Sequence, residues 1–236
     1  MKEHTLEVIE TIRRTPMSRS VRLKKPDGFS YLPGQWARIT VAAEDGPQGK
    51  PLSLSSSPTE PFLEFTKRIS QSSFSQAIAG LEKGDRVQLK GPAGNLTYTG
   101  GIEKVTFIAG GIGITPLRSI LKYLADNRVE GKKVFLYGNL SVEETAWHEE
   151  IQGWEKEDPD LTVVHVLEKP PEGWAGFAGF INSRIIAESV PDLLDQTYYV
   201  SGPPPMVNAL GKALDELRIP MERRITEKLE GYEGML

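Results

Sequence analysis

Hydrophobic and polar positions follow two different periods along this chain. Through the first hundred residues the apolar positions come in short runs bounded by Gly, Pro, Asp or Ser: Leu6–Ile12, Ser20–Leu23, Trp36–Val41, Leu52–Ser55, Phe62–Ile69 and Arg86–Lys90. Such runs predict strands. Only Phe74–Leu81 has a helical pattern here. Many short strands at regular spacing suggest a closed antiparallel barrel, because closure removes exposed edges.

After Thr99-Gly100-Gly101 the pattern changes. Apolar strands are expected at Val105–Ala109, Lys133–Tyr137, Leu161–Leu167 and Tyr198–Val200, with a closing strand at Arg223–Leu229. Amphipathic helices are expected between them at Leu117–Asn127, Glu144–Trp154, Ile181–Glu188 and Pro205–Leu217. Alternation of this kind implies a parallel sheet covered on both faces, with ligands at the carboxyl ends of its strands. The expected organisation is therefore a Greek-key β-barrel over residues 1–99 and an α/β nucleotide-binding domain over 100–236, with cofactors where the two meet.

Composition narrows the chemistry. The 236 residues contain no cysteine, which excludes disulfides, thiolate metal sites, Cys-ligated clusters and a catalytic thiol. His4, His148 and His165 have no ligand spacing, so no metal site is expected. Net charge is −4 with mixed signs, and no basic block suggests nucleic acid. No apolar run is long enough to span a bilayer, and the acid-bearing start Met1–His4 is unlike a secretory signal. Cytoplasm is the default location.

Gly110-Gly111-Ile112-Gly113-Ile114-Thr115-Pro116 lies between an expected strand and an expected helix. Glycines there let the backbone turn sharply and a phosphate come close. Thr115 suits an N-cap, and Pro116 suits the first helical position. The helix start offers free N–H groups to a pyrophosphate, with Arg118 in reach of the same anion. A tight connection without a ligand is the alternative.

This turn resembles the GG-x-G-[IV]-[AT]-P turn of the ferredoxin–NADP(+) reductase family. Five further motifs follow the family's order. Pro33-Gly34-Gln35-Trp36 resembles its PGQ-aromatic segment, and Lys50-Pro51-Leu52-Ser53 its flavin motif R-x-[YF]-[ST]. Gly84-Asp85 with Gly91-Pro92-Ala93-Gly94 resembles its GD…GPxG stretch, and Ser201-Gly202-Pro203-Pro204-Pro205-Met206 its CGPPPM loop. Glu227 and Tyr232 fall near its C-terminal acid and aromatic.

The resemblance implies a stand-alone reductase without an iron–sulfur domain. Its barrel would bind FAD, with FMN open, and its second domain NADH or NADPH. Ser53 would hydrogen-bond flavin N5, and Lys50 would meet the flavin phosphate. Leu52 would pack on the ring where the family has Tyr or Phe. Phe65, Thr66 and Lys67 would line the flavin site, and Ser73, Phe74 and Ser75 would hold its pyrophosphate. Gly110, Gly111, Gly113, Ile114, Thr115, Pro116, Arg118, Asn139, Gly202, Pro203, Pro204 and Met206 would bind the nicotinamide nucleotide. Ser201, in place of the family's Cys, and Glu227 would stand at the reaction centre. Tyr232 would stack on the flavin or lie on the surface. The segment Gly138–Glu144 contains no Lys or Arg to pair with a 2′-phosphate, which favours NADH over NADPH. Electrons would pass to a small protein acceptor such as a ferredoxin, a flavodoxin or an oxygenase component. A reductase of free flavins or ferric chelates is the alternative chemistry, and an electron-transfer docking subunit with little activity of its own is the alternative of another class.

Overall fold

The computed structural model describes residues 2–101 and 103–229. They fold as two compact units. One comprises the residues up to Thr99 together with Arg118–Asn127; the other comprises Gly100–Leu117 and the residues from Arg128 onward.

The first unit is an antiparallel six-stranded sheet in the order β4-β3-β6-β1-β2-β5. Its elements are β1 (Lys2–Thr15), β2 (Ser18–Lys24), β3 (Trp36–Ala43), β4 (Gly46–Ser53), β5 (Phe62–Arg68), α1 (Ser73–Gly80) and β6 (Arg86–Ala93). A bridge between Leu54 and Phe65 joins the two ends of the order, so the sheet closes into a barrel. Alternate residues face inward: Leu6 and Val8, Val21 and Leu23, Ala37, Ile39 and Val41, Leu63 and Phe65, Val87 and Leu89. Phe74 and Ile78 of α1 complete this core, and Arg19 donates to the Ala79 and Leu81 carbonyls at the helix's C-terminal end.

β1 and β4 extend furthest beyond the apolar runs that predict them. β1 has two neighbours in succession, pairing with β6 over Lys2–Glu7 and with β2 from Val8 to Thr15. Its polar end is held by charge instead of apolar packing, because Arg14 and Arg22 both pair with the fully buried Glu64 at 2.8 Å. β4 begins at Gly46 and contains Pro47, Gly49 and Pro51. A strand with Pro at these positions is tolerated at the end of the sheet order, where one row of backbone groups needs no ladder partner.

The second unit is a parallel sheet in the order β10-β9-β8-β7-β11-β12. Its elements are β7 (Lys104–Gly110), α2 (Ile114–Asp126), β8 (Lys132–Asn139), α3 (His148–Glu157), β9 (Leu161–Leu167), β10 (Phe177–Ala178), α4 (Ser183–Ser189), β11 (Thr197–Gly202), α5 (Pro204–Glu216) and β12 (Arg224–Lys228). Helix α2 starts in this unit, and its residues from Arg118 onward group with the barrel. Val105–Ala109 is buried throughout, as expected of a strand covered on both faces. The third helix begins at His148 and not at Glu144, because Trp147 takes a left-handed backbone (φ 56°) that interrupts the pattern.

Candidate functional site

In the barrel, three of the family-like glycines, Gly34, Gly91 and Gly94, are packing devices, while Gly84 has nothing within 4 Å of an added Cβ. Gly34 (φ +97°) lies so close to the Leu96 carbonyl that a Cβ would sit 2.1 Å from its oxygen. A Cβ on Gly94 would meet the Trp36 indole at 2.6 Å, and one on Gly91 would meet the Ala37 Cβ at 2.8 Å. The PGQ-aromatic and GPxG segments thus fit one another, with the Trp36 ring occupying the space that Gly94 leaves.

Ser53 pairs with Trp36 in register at the end of β4 and is nearly buried. Beside it, Pro51 is exposed, and Leu52 is half-buried against the barrel core. Phe65 turns its whole side chain into that core, so only its backbone is available to a ligand. The Thr66 hydroxyl is engaged with those of Ser20 (2.6 Å) and Ser55 (3.0 Å). Lys50 and Lys67 stand near each other. Burial holds the Lys67 ammonium below its ordinary range, and the like charge of Lys50 lowers it further. Among the described residues neither lysine has an acidic partner, and α1 packs against both of their strands.

The hydroxyls expected on a pyrophosphate are used locally. Ser72 caps α1 by accepting from the Ser75 N–H. Ser75 is fully buried and accepts from the Ser70 N–H at 2.7 Å, while Ser73 donates to Asp45. Phe74 is buried in the core.

Arg118 departs most from its expected role. Its guanidinium pairs with Glu60 and donates to the Ser55 carbonyl at 3.0 Å, with the side chain 2% exposed. Ser119 donates to the Ser56 carbonyl beside it. Arg118, one turn into α2, therefore serves the loop after β4 and not an anion at the helix start. Thr115 is likewise not an N-cap. A 3-10 turn over Gly111–Gly113 precedes the helix, and the Thr115 hydroxyl donates back to the Ile112 carbonyl at 3.1 Å. Pro116 then falls in the first turn of α2, where its missing N–H leaves no intrahelical bond unmade.

In the α/β unit the expected residues converge at the carboxyl ends of neighbouring strands. Gly110 ends β7 and Asn139 ends β8; Ser201 and Gly202 end β11, and Glu227 lies beside Ser201 on β12. The three glycines of the turn differ in what surrounds them. Gly110 faces Met206, whose sulfur would lie 2.0 Å from an added Cβ. Gly113 faces the backbone of Ser201 and Gly202, at 2.5 Å from an added Cβ. Gly111 is left-handed (φ +50°) with nothing within 4 Å of an added Cβ. Two glycines allow close packing, and the third opens the turn. Ile114 is buried at the start of α2. Pro203 precedes α5 and Pro204 is its first residue.

Around this turn several buried polar groups have no protein partner. They are both amide atoms of Asn139, the Ser201 hydroxyl and one carboxylate oxygen of Glu227. Buried polar atoms without partners are costly, so a set of them at the carboxyl ends of three strands of one sheet points to a ligand that satisfies them. Burial also pushes the Glu227 carboxyl up to about 7. Tyr232 lies outside the described residues.

Two residues at this edge carried no signal in hydrophobic patterning. Glu168 is exposed just past the end of β9, where its N–H bonds the Asn139 carbonyl at 3.0 Å. Phe180 is 71% exposed just beyond β10, and the following Ile181 packs on Gly138. Among the described residues no group of three or more His, Asp or Glu could hold a metal ion, and no helix is long and apolar enough to cross a membrane.

Residues 107–212 match the family model described as an oxidoreductase NAD-binding domain. NADH-cytochrome b5 reductase 1 of Ajellomyces capsulatus is 32% identical over 210 residues, covering 83% of this chain and 67% of that protein. The chain belongs to the ferredoxin–NADP(+) reductase family. The same-named protein of Neosartorya fischeri is 33% identical over 174 residues, and the matched region is about half (56%) of its length. Members of this family supply close structural matches over nearly the whole chain. The cytochrome b5 reductase domain of Ulva prolifera nitrate reductase aligns with a TM-score of 0.85 at 20% identity, covering 96% of this chain and 97% of that one. A Neisseria gonorrhoeae ferredoxin NADP+ reductase, solved with bound FAD and NADP, aligns with a TM-score of 0.84 at 16% identity, covering 97% and 99%. At these identities the structural likeness establishes the family's two-part fold.

Proposed function

We propose that this chain is an FAD-dependent NADH oxidoreductase that delivers electrons to a small protein acceptor. In this reading residues 1–99 form the flavin-binding barrel and residues 100–236 the nucleotide-binding domain. The observation that carries it is the set of unpartnered buried groups, Asn139, Ser201 and Glu227, around a glycine turn whose middle residue is open. That is the chemistry a dinucleotide satisfies: N–H groups at a helix start for its pyrophosphate, and an amide, a hydroxyl and a carboxyl for its polar ends.

Flavin fits the barrel on charge. Lys50 and the half-buried Lys67 offer two cations without an acidic partner, which suits a phosphate. The local engagement of Ser73 and Ser75 leaves these lysines as the main anchors. When bound, FAD would supply the chemistry that accepts a hydride and releases electrons onward. Ser53 would orient the ring from the strand end, and Glu227 would hold or release a proton beside Ser201 near neutral pH.

NADH is favoured over NADPH. Gly138–Glu144 has no cation for a 2′-phosphate, and Glu168 at the end of β9 suits ribose hydroxyls, as an acid does in dinucleotide folds. Phe180, exposed at the same edge, suits stacking on a nucleotide base. The relatives are named for NADH and for cytochrome b5, which supports a small haem protein of that kind as acceptor. Steady-state oxidation with an excess of cytochrome b5 tests the proposal. A higher kcat/KM for NADH than for NADPH is expected, and the reverse order, or no turnover with either, contradicts it.

Reduction of free flavin is the second reading. It draws on Leu52 and Lys50, which offer neither the aromatic ring nor the forked guanidinium the family uses. A colourless protein that oxidises NADH only with added riboflavin would favour it.

A further inference from the structure

If the backbone of the glycine turn binds a pyrophosphate, a side chain must hold that backbone in place. We propose that Tyr137 is the positioning residue for the pyrophosphate, acting through the Gly111–Ile112 peptide; this rests on the nucleotide reading above. Tyr137 lies on β8, one strand over from the turn, and its hydroxyl donates to the Gly111 carbonyl at 3.2 Å. The side chain is fully buried. Its ring stacks on Phe135 at 5.2 Å and is tilted against His165 at 6.2 Å, so the hydroxyl is delivered from a fixed direction.

The same carbonyl also accepts from the Ile114 N–H inside the 3-10 turn, an N–H it shares with the Ile112 carbonyl. Two donors thus fix the plane of one peptide. In a trans peptide the carbonyl and the next N–H point opposite ways. With the Gly111 oxygen held toward buried Tyr137, the Ile112 N–H is turned away from it. Gly111 itself is left-handed, with no atom near the place a Cβ would take. Glycine is the residue most free to leave this conformation, so an open glycine in an anion-binding turn gains most from a pin on its carbonyl. A turn held before the anion arrives loses less freedom on binding it.

Tyr137→Phe removes only the hydroxyl and keeps the ring contacts. In the full-length protein, affinities for ADP-ribose and for adenosine are measured by competition against NADH, with kcat at saturating NADH alongside. ADP-ribose contains the pyrophosphate and adenosine lacks it. Loss of one neutral hydrogen bond should weaken ADP-ribose about three- to tenfold. Adenosine affinity and kcat should stay unchanged. Unchanged ADP-ribose affinity, or an equal loss for both ligands, overturns the proposal, since a general loosening of the unit would weaken both. If the unaltered protein does not bind ADP-ribose, the nucleotide reading itself fails and this inference falls with it.

Discussion

Alanine at Gly111 and alanine at Gly113 should separate ligand binding from packing within a single turn. At Gly113 the new methyl would sit 2.5 Å from the Gly202 Cα and the Ser201 oxygen, where ordinary contact is 3.4–4 Å. Both obstacles are backbone, so the end of β11 must move by roughly 1 Å, at a cost of about 1–3 kcal/mol. At Gly111 the methyl meets nothing within 4 Å, and the only folding cost is the left-handed backbone at φ +50°, about 1–2 kcal/mol. That open space is where the proposed pyrophosphate approaches. A methyl there would displace it from one or two charge-assisted hydrogen bonds of about 1.5–3 kcal/mol each, or roughly tenfold or more in nucleotide affinity. Urea unfolding reports the first quantity and NADH titration the second. Gly111→Ala should lose far more affinity than stability, and Gly113→Ala should lose both. A Gly111→Ala protein that binds NADH as tightly as its parent would refute the placement of the pyrophosphate at this turn.

Other residues give independent tests. Arg118→Met leaves Glu60 buried without its cation and should cost about 3–5 kcal/mol of stability with little change in the KM for NADH; a raised KM at unchanged stability would return Arg118 to the phosphate. Burial raises Glu227 to about 7, so the folded protein keeps a proton that the unfolded chain releases above its ordinary value near 4.5. Its contribution is therefore full below about 4.5 and falls as pH rises toward 7, by at most about 3 kcal/mol, and Glu227→Gln should flatten that slope in chemical unfolding. Ser53→Ala should slow anaerobic flavin reduction by about three- to tenfold, the worth of one positioned hydrogen bond; an unchanged stopped-flow rate counts against the N5 contact.

The architecture was legible because the apolar period differs between the halves. Every strand and helix expected from that period is present, from Leu6–Ile12 within β1 to Arg223–Leu229 around β12. What escaped was structure held by polar groups. The end of β1 depends on Arg14 and Glu64, which pair across 50 residues of sequence, and no local pattern reports such a pair. Start signals are local as well. Thr115-Pro116 and Arg118 read as a cap and an anion ligand, but a 3-10 turn moved the helix start to Ile114, and Glu60 lay close enough to claim the guanidinium. The short β10 and the exposed Glu168 and Phe180 beside the strand ends carry no periodic signal. The glycine turn, Ser201 and Glu227 lie toward the ends of neighbouring strands, because each motif is anchored to a strand whose position hydrophobicity fixes.

The proposed reaction requires this chain to hold a flavin and to reduce it with NADH. Anaerobic titration of the purified protein with NADH, followed by visible absorbance, tests it most directly. A yellow protein that one equivalent of NADH bleaches is expected. A protein that stays colourless after incubation with FAD, and leaves NADH unoxidised, would contradict it.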